Sequence, residues 1–406
     1  MHKVTKSAAL LALSATLSLA SAQSLTLWST GSENDALILE AAAGLFEQNN
    51  EGVTLDIQPR SWQDGHAKVL SAVVSGSGPD MITGGLSWGI EFGEQGGMID
   101  LEAAYPEIVS EIEGLAQSGI YRSVVPPSGE VYGVPIDLTI HIMLTRPDLI
   151  EAAGLEGPPQ TWEELTAVLE ANDNAGLGFG WGNAEWLGFF PFLYQAGGTL
   201  YDAQCSAATI NSPEGVEALS FFADLYTTYG TSPEGDVDVE GGLESGEYLV
   251  GIQGSWTLGM ENTRPELFEK ASFSPLPAGP SGKRTAFIGG RVIGVMEASE
   301  NQDLAADFIA TLYTPEVATA MIQKAEELNQ VWITPVVDYA TQSSLSEKVV
   351  TAVQEQLADA EGPPNCAGWE QSQALVVRQL QEVIFNGADP QGALDAAAEE
   401  MNDNLN

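Results

Sequence analysis

The chain has 406 residues, 44% of them hydrophobic, and its 57 acidic and 14 basic residues give a formal net charge of −43. This length is enough for a large core and favours two domains. The negative charge argues against nucleic acid and anionic membranes as partners, and it is typical of an acidic surface suited to a saline medium.

The N-terminus predicts a cleaved export signal over residues 1–22. Two lysines precede a short apolar segment at residues 8–19, and the tripeptide ASA before Gln23 fits a cleavage site. The apolar segment is short for a membrane-spanning helix, and no cysteine follows it as a lipid attachment point. We therefore expect an exported, periplasmic protein without direct membrane insertion.

Strands and helices alternate in the first part of the mature chain. Short apolar runs predict strands at residues 25–28, 53–59 and 79–85. Helical spacing of apolar residues predicts helices between them, at residues 35–50 and 64–76. Such alternation with short connections implies a parallel sheet.

The rest of the chain also mixes both kinds of element. Thr161 and Glu164 have the spacing of a capping box, which gives Trp162 a structural role at a helix start. Strand-like runs recur at residues 248–254 and 285–296, and the C-terminal part is mostly helical in pattern. No long Gly/Ser linker divides the chain, so we expect lobes that are each discontinuous in sequence.

Cys205 and Cys366 are the only cysteines. In an oxidising compartment an even number of cysteines predicts a disulfide. Two separate thiols are the alternative, because the sequence does not give the distance between them.

GLSWG at residues 85–89 matches the G-x-S-x-G spacing of a nucleophile elbow, which would make Ser87 a nucleophile. Such an enzyme needs a later histidine on a loop. His141 is the only histidine after Ser87, and it lies in the strand-like run TIHIMLT. A serine hydrolase is therefore only an alternative, as is a glycosidase, which needs two facing carboxylates.

One stretch has nearly the spacing of an EF-hand calcium loop. Its carboxylates are Asp236, Asp238, Glu240 and Glu247, with Gly241 at the turn position. Glutamate at the fifth position and the strand-like YLVGIQG that follows depart from the pattern, so a short capped helix is the alternative. HExxH and Cys/His clusters are absent, and we expect no metal and no cofactor.

Several of the nine tryptophans follow predicted strands and have polar neighbours, in LWSTGS, RSWQD, LSWG, GWGNAEW and GSWT. An indole in such a loop can stack on the apolar face of a pyranose, while polar side chains bind the hydroxyls. Ligands of open α/β sheets bind outside the carboxyl ends of strands. The pattern favours a sugar-binding cleft, with core packing as the alternative for any single tryptophan.

The mature chain resembles the family 1 extracellular solute-binding proteins, the maltose-binding-protein-like, sugar-capturing subunits of ABC importers. The segments that carry the resemblance are SGSGPDMI, GEVYGVPID, PPQTWEEL, INSPEGVEALSFFADLY, SGEYLVGIQGSW, PLPAGPSGK, IGGRVIGV and NQDLAADFIATLYTPE. Their order and spacing together are specific. The resemblance implies an α/β fold of two lobes around a cleft, a hinge of about three crossings, no catalysis, and closure around a ligand.

The resemblance also implies where the lobes lie. The N-terminal lobe is expected to comprise residues 24–138 plus 290–340, and the C-terminal lobe residues 139–289 plus 341–406. Both cysteines then fall in the C-terminal lobe, so a disulfide would leave the hinge free.

Ligand contacts follow from the resemblance residue by residue, with Asp137 as a hydroxyl acceptor. The expected contacts are Trp28, Trp62, Ser87, Trp88, Asp137, Trp181, Asn183, Trp186, Trp256, Gly290, Arg291 and Trp332. His141 departs from the Tyr-Asn that is frequent in this region of the family.

We therefore expect a monomeric periplasmic binding protein that delivers its ligand to the permease subunits of an ABC importer. The expected ligand is a neutral di- or oligosaccharide, or a glucoside. Glycerol phosphate would need more basic residues than Arg291 and Arg60 supply.

Overall fold

The computed structural model describes residues 23–234, 237–336 and 346–405. The predicted export signal and Asp236 of the calcium-like loop lie outside these residues. No helix within the described ranges is both long and apolar enough to cross a bilayer.

Short strands and longer helices follow one another along the described ranges. The strands are β1 (Gln23–Thr30), β2 (Val53–Arg60), β3 (Met81–Gly85), β4 (Val134–Pro135), β5 (Thr139–Thr145), β6 (Gly178–Phe179), β7 (Val250–Gly254), β8 (Ser272–Ser274), β9 (Ala286–Gly289), β10 (Arg291–Val295) and β11 (Ala360–Glu361). The helices are α1 (Glu33–Asn49), α2 (Trp62–Ser75), α3 (Trp88–Glu94), α4 (Leu101–Ala104), α5 (Pro106–Leu115), α6 (Ser118–Ser123), α7 (Pro147–Ala152), α8 (Trp162–Ala171), α9 (Trp186–Ala196), α10 (Pro213–Thr227), α11 (Val239–Ser245), α12 (Met260–Thr263), α13 (Pro265–Lys270), α14 (Gln302–Thr311), α15 (Pro315–Glu327), α16 (Glu347–Leu357), α17 (Trp369–Asn386) and α18 (Pro390–Asn404). A 3₁₀ helix at Ser255–Gly259 follows β7.

The first sheet has the strand order β2-β1-β3-β10-β4. β1 is parallel to both β2 and β3, as the strand–helix alternation predicts, whereas β10 is antiparallel to its neighbours. Leu25 and Leu27 of β1 are fully buried in the same core as Phe46 of α1 and Phe308 of α14. The two phenylalanine rings meet edge to face, and burial of such side chains is the main favourable term for this half of the molecule.

The second sheet has the order β11-β9-β5-β7-β6, and β8 also pairs with β5. Its core is larger and more aromatic, and it includes Phe179, Phe222 and Trp369. Helices α10, α17 and α18 pack on one another beside this sheet. The protein is therefore an α/β molecule of two lobes, each with a central sheet flanked by helices.

The start of α8 shows how the sequence fixes a helix end. The Thr161 hydroxyl accepts the backbone N–H of Glu164, as expected for a capping residue. The Glu164 carboxylate accepts from the backbone of Gln160 rather than Thr161, so the second bond of the capping box is displaced by one residue. Trp162 donates to Gln195 at 2.7 Å and is buried, which confirms its structural role.

The chain passes between the sheets three times. Residues 136–138 join β4 to β5, and Gly290 joins β9 to β10. The third passage leads from α15, which packs on α1 beside the first sheet, to α16, which packs on β8 and β5 of the second sheet. The backbone N–H of Leu138 donates to Ile333 at 2.8 Å, so the first and third passages are hydrogen-bonded to each other.

Candidate functional site

A cavity of about 610 Å³ opens where the two sheets meet, within the size range of small-molecule sites. Both sides line it, as does the passage between the sheets. The first side contributes Trp62, His66, Leu86, Ser87 and Trp88; the second contributes Thr139, His141, Trp186, Trp256, Phe287, Glu370 and Gln373; the passages contribute Asp137, Gly290 and Arg291. The cavity is therefore a cleft between the lobes.

One exposed indole comes from each side of the cleft. Trp62 is the first residue of α2 and is 52% exposed, and Trp256 follows β7 and is 50% exposed. Trp62 meets Trp88 edge to face at 5.9 Å, while Trp256 meets Trp181 at 6.1 Å. Each exposed ring is thus backed by a buried one, which leaves its outer surface available for a flat apolar partner.

Trp88 is buried because the end of β3 makes room for its ring. A Cβ on Gly84 would lie 1.9 Å from the Trp88 indole, so only glycine fits at that position. The ring lines the cleft but is only 6% exposed. Replacing Trp88 would therefore cost core packing as well as any ligand contact.

Three residues, Asp35, Asp137 and Arg291, form what we call the crossing cluster at the passage between the sheets. The Arg291 guanidinium donates to Asp137 at 2.6 and 3.2 Å and pairs with Asp35 at 2.8 Å. The backbone N–H of Arg291 donates to the other Asp137 oxygen at 2.7 Å. Gly290 must be glycine, because its φ is +148° and a Cβ would lie 2.3 Å from the Asp137 carbonyl oxygen.

The charges of Arg291 and Asp35 stabilise each other. Burial acts to lower the pKa of Arg291, but the facing carboxylates of Asp137 and Asp35 outweigh burial and raise it. Burial likewise acts to raise the pKa of Asp35, but the Arg291 charge and hydrogen bonds from Ser32 lower it overall. A buried cation that is held by two carboxylates is poorly placed to bind an anionic ligand.

A second group, His66, Glu91 and Glu370, is called the bridging cluster because its members come from both sides of the cleft. His66 Nε2 lies 2.6 Å from Glu91 Oε2, and Gln371 donates to the other Glu91 oxygen at 3.1 Å. The Ser87 hydroxyl donates to Glu370. The hydrogen bond with Glu91 raises the pKa of His66 against the effect of burial, and burial raises the pKa of Glu370.

His141 lies at the bottom of the cleft and is nearly fully buried. Its ring is 4.1 Å from Trp181 and 5.3 Å from Phe287. Burial lowers the pKa of His141 to about 3, so the imidazole is neutral at physiological pH. Within the described residues its Nδ1 is buried and has no hydrogen-bond partner.

The structure brings most of the predicted ligand residues together. The residues on the cleft lining are Trp62, Ser87, Trp88, Asp137, Trp186, Trp256, Gly290 and Arg291. Asp137, however, uses both carboxylate oxygens for Arg291, so its predicted role as a hydroxyl acceptor must compete with these bonds.

Four predicted residues lie elsewhere. The Trp28 ring is covered by Arg60 at 4.6 Å, and the Trp332 ring lies under Arg291 at 4.7 Å. Trp181 is buried behind Trp256. Asn183 donates to Glu185 at 3.0 Å. None of the four belongs to the cleft lining, although Trp181 and Trp332 contact the lining residues Trp256 and Arg291.

Sequence reasoning missed several lining residues, including Asp35, His66, Phe287 and Glu370. His66 had a usable signal, because it lies one helical turn after Trp62 and therefore on the same face of α2. Glu370 had none, since it reaches Ser87 from 283 residues away.

Cys205 and Cys366 form a disulfide with a Cα–Cα distance of 5.5 Å, which confirms the predicted pairing. It joins the loop before α10 to the loop before α17, and these two helices pack against each other. Glu370 follows Cys366 closely at the start of α17. The bond therefore fixes the end of the helix that carries one member of the bridging cluster.

The serine hydrolase alternative gains no support from this geometry. The Ser87 hydroxyl donates to a carboxylate, and among the described residues no histidine accepts it. Ser87 has φ −75° and ψ −17°, an unstrained conformation, whereas a nucleophile elbow is a sharp, strained turn. Of the two glycines in the G-x-S-x-G match, Gly85 makes room for Trp88, since a Cβ there would lie 3.1 Å from the indole Nε1, whereas a Cβ on Gly89 would meet Val292 at 3.4 Å.

The described part of the calcium-like stretch forms the short capped helix that was the alternative. Asp238 caps α11 by accepting from the backbone N–H of Gly241 at 2.9 Å. Arg264 pairs with Asp238 at 3.3 Å and with Glu244 at 3.0 Å. The Asp238 carboxylate thus already has partners in the helix cap and in Arg264.

Two sheets joined by three passages over a cleft define the class of two-lobed binding proteins. The chain belongs to the family of bacterial extracellular solute-binding proteins, whose family model matches residues 30–319.

Two relatives cover most of the chain. A binding protein from Brucella abortus is 24% identical over 365 residues, which is 87% of this chain and 86% of that protein. A lactose-binding protein from Rhizobium radiobacter is 24% identical over 317 residues, which is 72% of this chain and 71% of that protein.

Solved structures agree with the fold. An ABC transporter solute-binding protein from Thermotoga lettingae, bound with α-D-tagatose, is 25% identical with a TM-score of 0.78, covering 95% of this chain and 100% of that chain. The sugar-binding protein MalE from Xanthomonas citri is 20% identical with a TM-score of 0.80, covering 94% of this chain and 97% of that chain. At this identity the second likeness shows the fold alone.

Proposed function

We propose that the protein captures a neutral sugar, a di- or oligosaccharide or a glucoside, in the cleft for an ABC importer. The observation that carries the proposal is the pair of half-exposed indoles, Trp62 and Trp256, on opposite sides of a cavity of about 610 Å³. Indole faces suit the apolar faces of pyranose rings, and polar groups of the lining suit their hydroxyls. Sugar ligands of the Thermotoga and Rhizobium relatives support the same class of ligand.

The charge of the lining supports a neutral ligand. Arg291 is the only lysine or arginine among the described residues that line the cavity, and it is paired with Asp35 and Asp137. Arg60 lies on Trp28 outside the lining. The negative charge of a phosphate or carboxylate ligand would therefore lie near the Glu370 carboxylate, and no unpaired lysine or arginine of the described lining would compensate it.

Delivery would proceed by closure of the lobes. The proposed N-terminal lobe comprises residues 24–138 plus 290–340, and the C-terminal lobe comprises residues 139–289 plus 341–406. The strand order supports these boundaries, because β4 and β10 belong to the first sheet and β5 and β9 to the second. A ligand that contacts both sides binds the closed form more tightly and so shifts the population toward it. We propose that this monomeric form, located in the periplasm, docks on the permease subunits.

Isothermal titration of the purified mature chain tests the proposal. The panel should contain neutral mono-, di- and oligosaccharides and glucosides, each matched with a phosphorylated or carboxylated analogue. We expect at least one neutral di- or oligosaccharide or glucoside to bind, its charged analogue to bind at least about 10-fold more weakly, and the recovered sugar to be unchanged. Preference for the charged analogue, or release of hydrolysis products, would overturn the proposal.

A further inference from the structure

We propose that His66, Glu91 and Glu370, the bridging cluster, bind a divalent transition-metal ion of the zinc type. One donor atom from each residue lies within 4.8 Å of the other two. The chain has 57 acidic residues, yet in the described ranges this is the only group of three or more potential ligands whose donors converge in this way.

The donor distances are close to those a metal would require. In a tetrahedral zinc site with bonds near 2.1 Å, neighbouring ligand atoms are about 3.4 Å apart. His66 Nε2 and Glu91 Oε2 are 2.6 Å apart, and the widest separation in the group is within 4.8 Å. Tetrahedral coordination therefore requires His66 Nε2 and Glu91 Oε2 to move apart by about 0.8 Å.

The charge balance of the cluster favours a cation. Glu91 is 5% exposed, and the charges of Glu91 and His66 act on the neighbouring Glu370. Two carboxylates and one protonated imidazole leave an excess negative charge in a site partly shielded from water, which is costly. Two carboxylates, a neutral imidazole and a divalent cation are electrically balanced.

The surroundings of the cluster resemble the outer shell of a metal site. Ser87 and Gln371 each donate a hydrogen bond to one carboxylate oxygen, on Glu370 and Glu91 respectively, which orients the carboxylates. The His66 ring packs against Trp88 at 5.0 Å and Phe92 at 5.2 Å. Because both His66 and Glu370 line the cavity, a fourth coordination position would face the cleft.

The ligand set indicates which kind of metal fits. Calcium and magnesium prefer all-oxygen sites, whereas one imidazole nitrogen with two carboxylates suits zinc and its first-row neighbours. His66 and Glu91 belong to α2 and α3 beside the first sheet, and Glu370 belongs to α17 beside the second. The ion would therefore connect the two sides of the cleft and stabilise their contact.

Zinc titration of the metal-free, untagged protein tests this inference without any sugar, so its outcome is independent of the proposed function. We expect wild type to bind one Zn²⁺, with a thermal unfolding midpoint that rises with zinc concentration. His66→Gln and Glu370→Gln should each weaken zinc binding by at least about 10-fold. Glu382→Gln is the matched control, because it changes an exposed glutamate on the same helix as Glu370.

The visible absorption of bound Co²⁺ gives a second measurement, which metal binding elsewhere on the surface would not change. Wild type and Glu382→Gln should show the visible absorption of low-symmetry Co²⁺, and His66→Gln should lose it. Failure of wild type to bind zinc, or equal zinc binding by wild type and both ligand variants, would overturn the inference.

Discussion

The crossing cluster and the bridging cluster each contain two carboxylates and one basic side chain. They differ in how the chain brings these residues together and in whether the basic side chain titrates near neutral pH. Asp137 and Arg291 lie where the chain itself passes between the sheets, Asp35 pairs with Arg291 from the first turn of α1, and the guanidinium is always charged. His66, Glu91 and Glu370 come together only through side chains from the two sides, and the base is a titratable imidazole. The first is suited to fix the hinge, and the second to respond to what occupies the cleft.

Removal of the permanent cation should have the largest effect. Arg291→Met removes the cation that Asp35 and Asp137 share and leaves only their hydrogen bonds from Ser32 and from the backbone N–H of residue 291, so we expect the free energy of unfolding to fall by about 3–5 kcal/mol. Denaturant unfolding measures this loss. Arg264→Met, which breaks exposed pairs with Asp238 and Glu244, is the control and should cost below about 1 kcal/mol. Equal losses would show that the crossing cluster has no special structural role.

Loss of the disulfide should have the next largest effect. The bond closes a loop with a sequence separation of 161, and replacing both Cys205 and Cys366 by serine should lower the free energy of unfolding by about 2–4 kcal/mol. Because the bond lies beside α17, hydrogen exchange should also increase at the start of that helix. An unchanged exchange rate there would contradict a role in positioning Glu370.

The smallest effect concerns pH and the bridging cluster. The folded pKa of His66 is raised above 6.5, so its stabilising contribution is complete below pH 6.5 and is lost as pH rises through the folded pKa. The pKa of Glu370 is also raised in the folded protein. Its contribution to the free energy of unfolding is therefore likewise lost with rising pH, beginning near pH 4.5.

With chelator present, wild type should therefore lose more stability than His66→Gln between pH 6 and pH 8, by less than about 1 kcal/mol. Unfolding midpoints of both proteins at each pH measure this difference. Parallel pH profiles would mean that His66 makes no titrating contribution.

Local sequence patterns predicted what local physics determines. Alternating strands and helices indicated the parallel pairing of β1 with β2 and β3, and Thr161 marked the start of α8. Tryptophans with polar neighbours pointed to the cleft, and Trp62 and Trp256 indeed line it.

The sequence did not predict which way individual side chains point or which residues distant in the chain come into contact. Trp181 lies in the polar stretch GWGNAEW, yet its ring is buried, because neighbours in sequence do not decide which way a side chain points. In the bridging cluster Glu370 meets His66 and Glu91 from the distant C-terminal part of the chain, and its hydrogen bond from Ser87 likewise spans 283 residues. No spacing motif could reveal it.

The central claim is that a neutral sugar is held between one indole from each side of the cleft. Thermal unfolding of wild type and of the double variant Trp62→Ala/Trp256→Ala, each with a panel of neutral sugars, tests it most directly. Phe385→Ala is the control, because it removes a 46% exposed aromatic ring that does not line the cavity.

We expect at least one sugar to stabilise wild type and Phe385→Ala by about 2.7 kcal/mol at a concentration of about 100 times Kd. At that concentration the double variant should be stabilised by at least about 1.4 kcal/mol less, which corresponds to a tenfold or greater loss of affinity. Equal stabilisation of all three proteins, or stabilisation of none by any neutral sugar, would contradict the central claim.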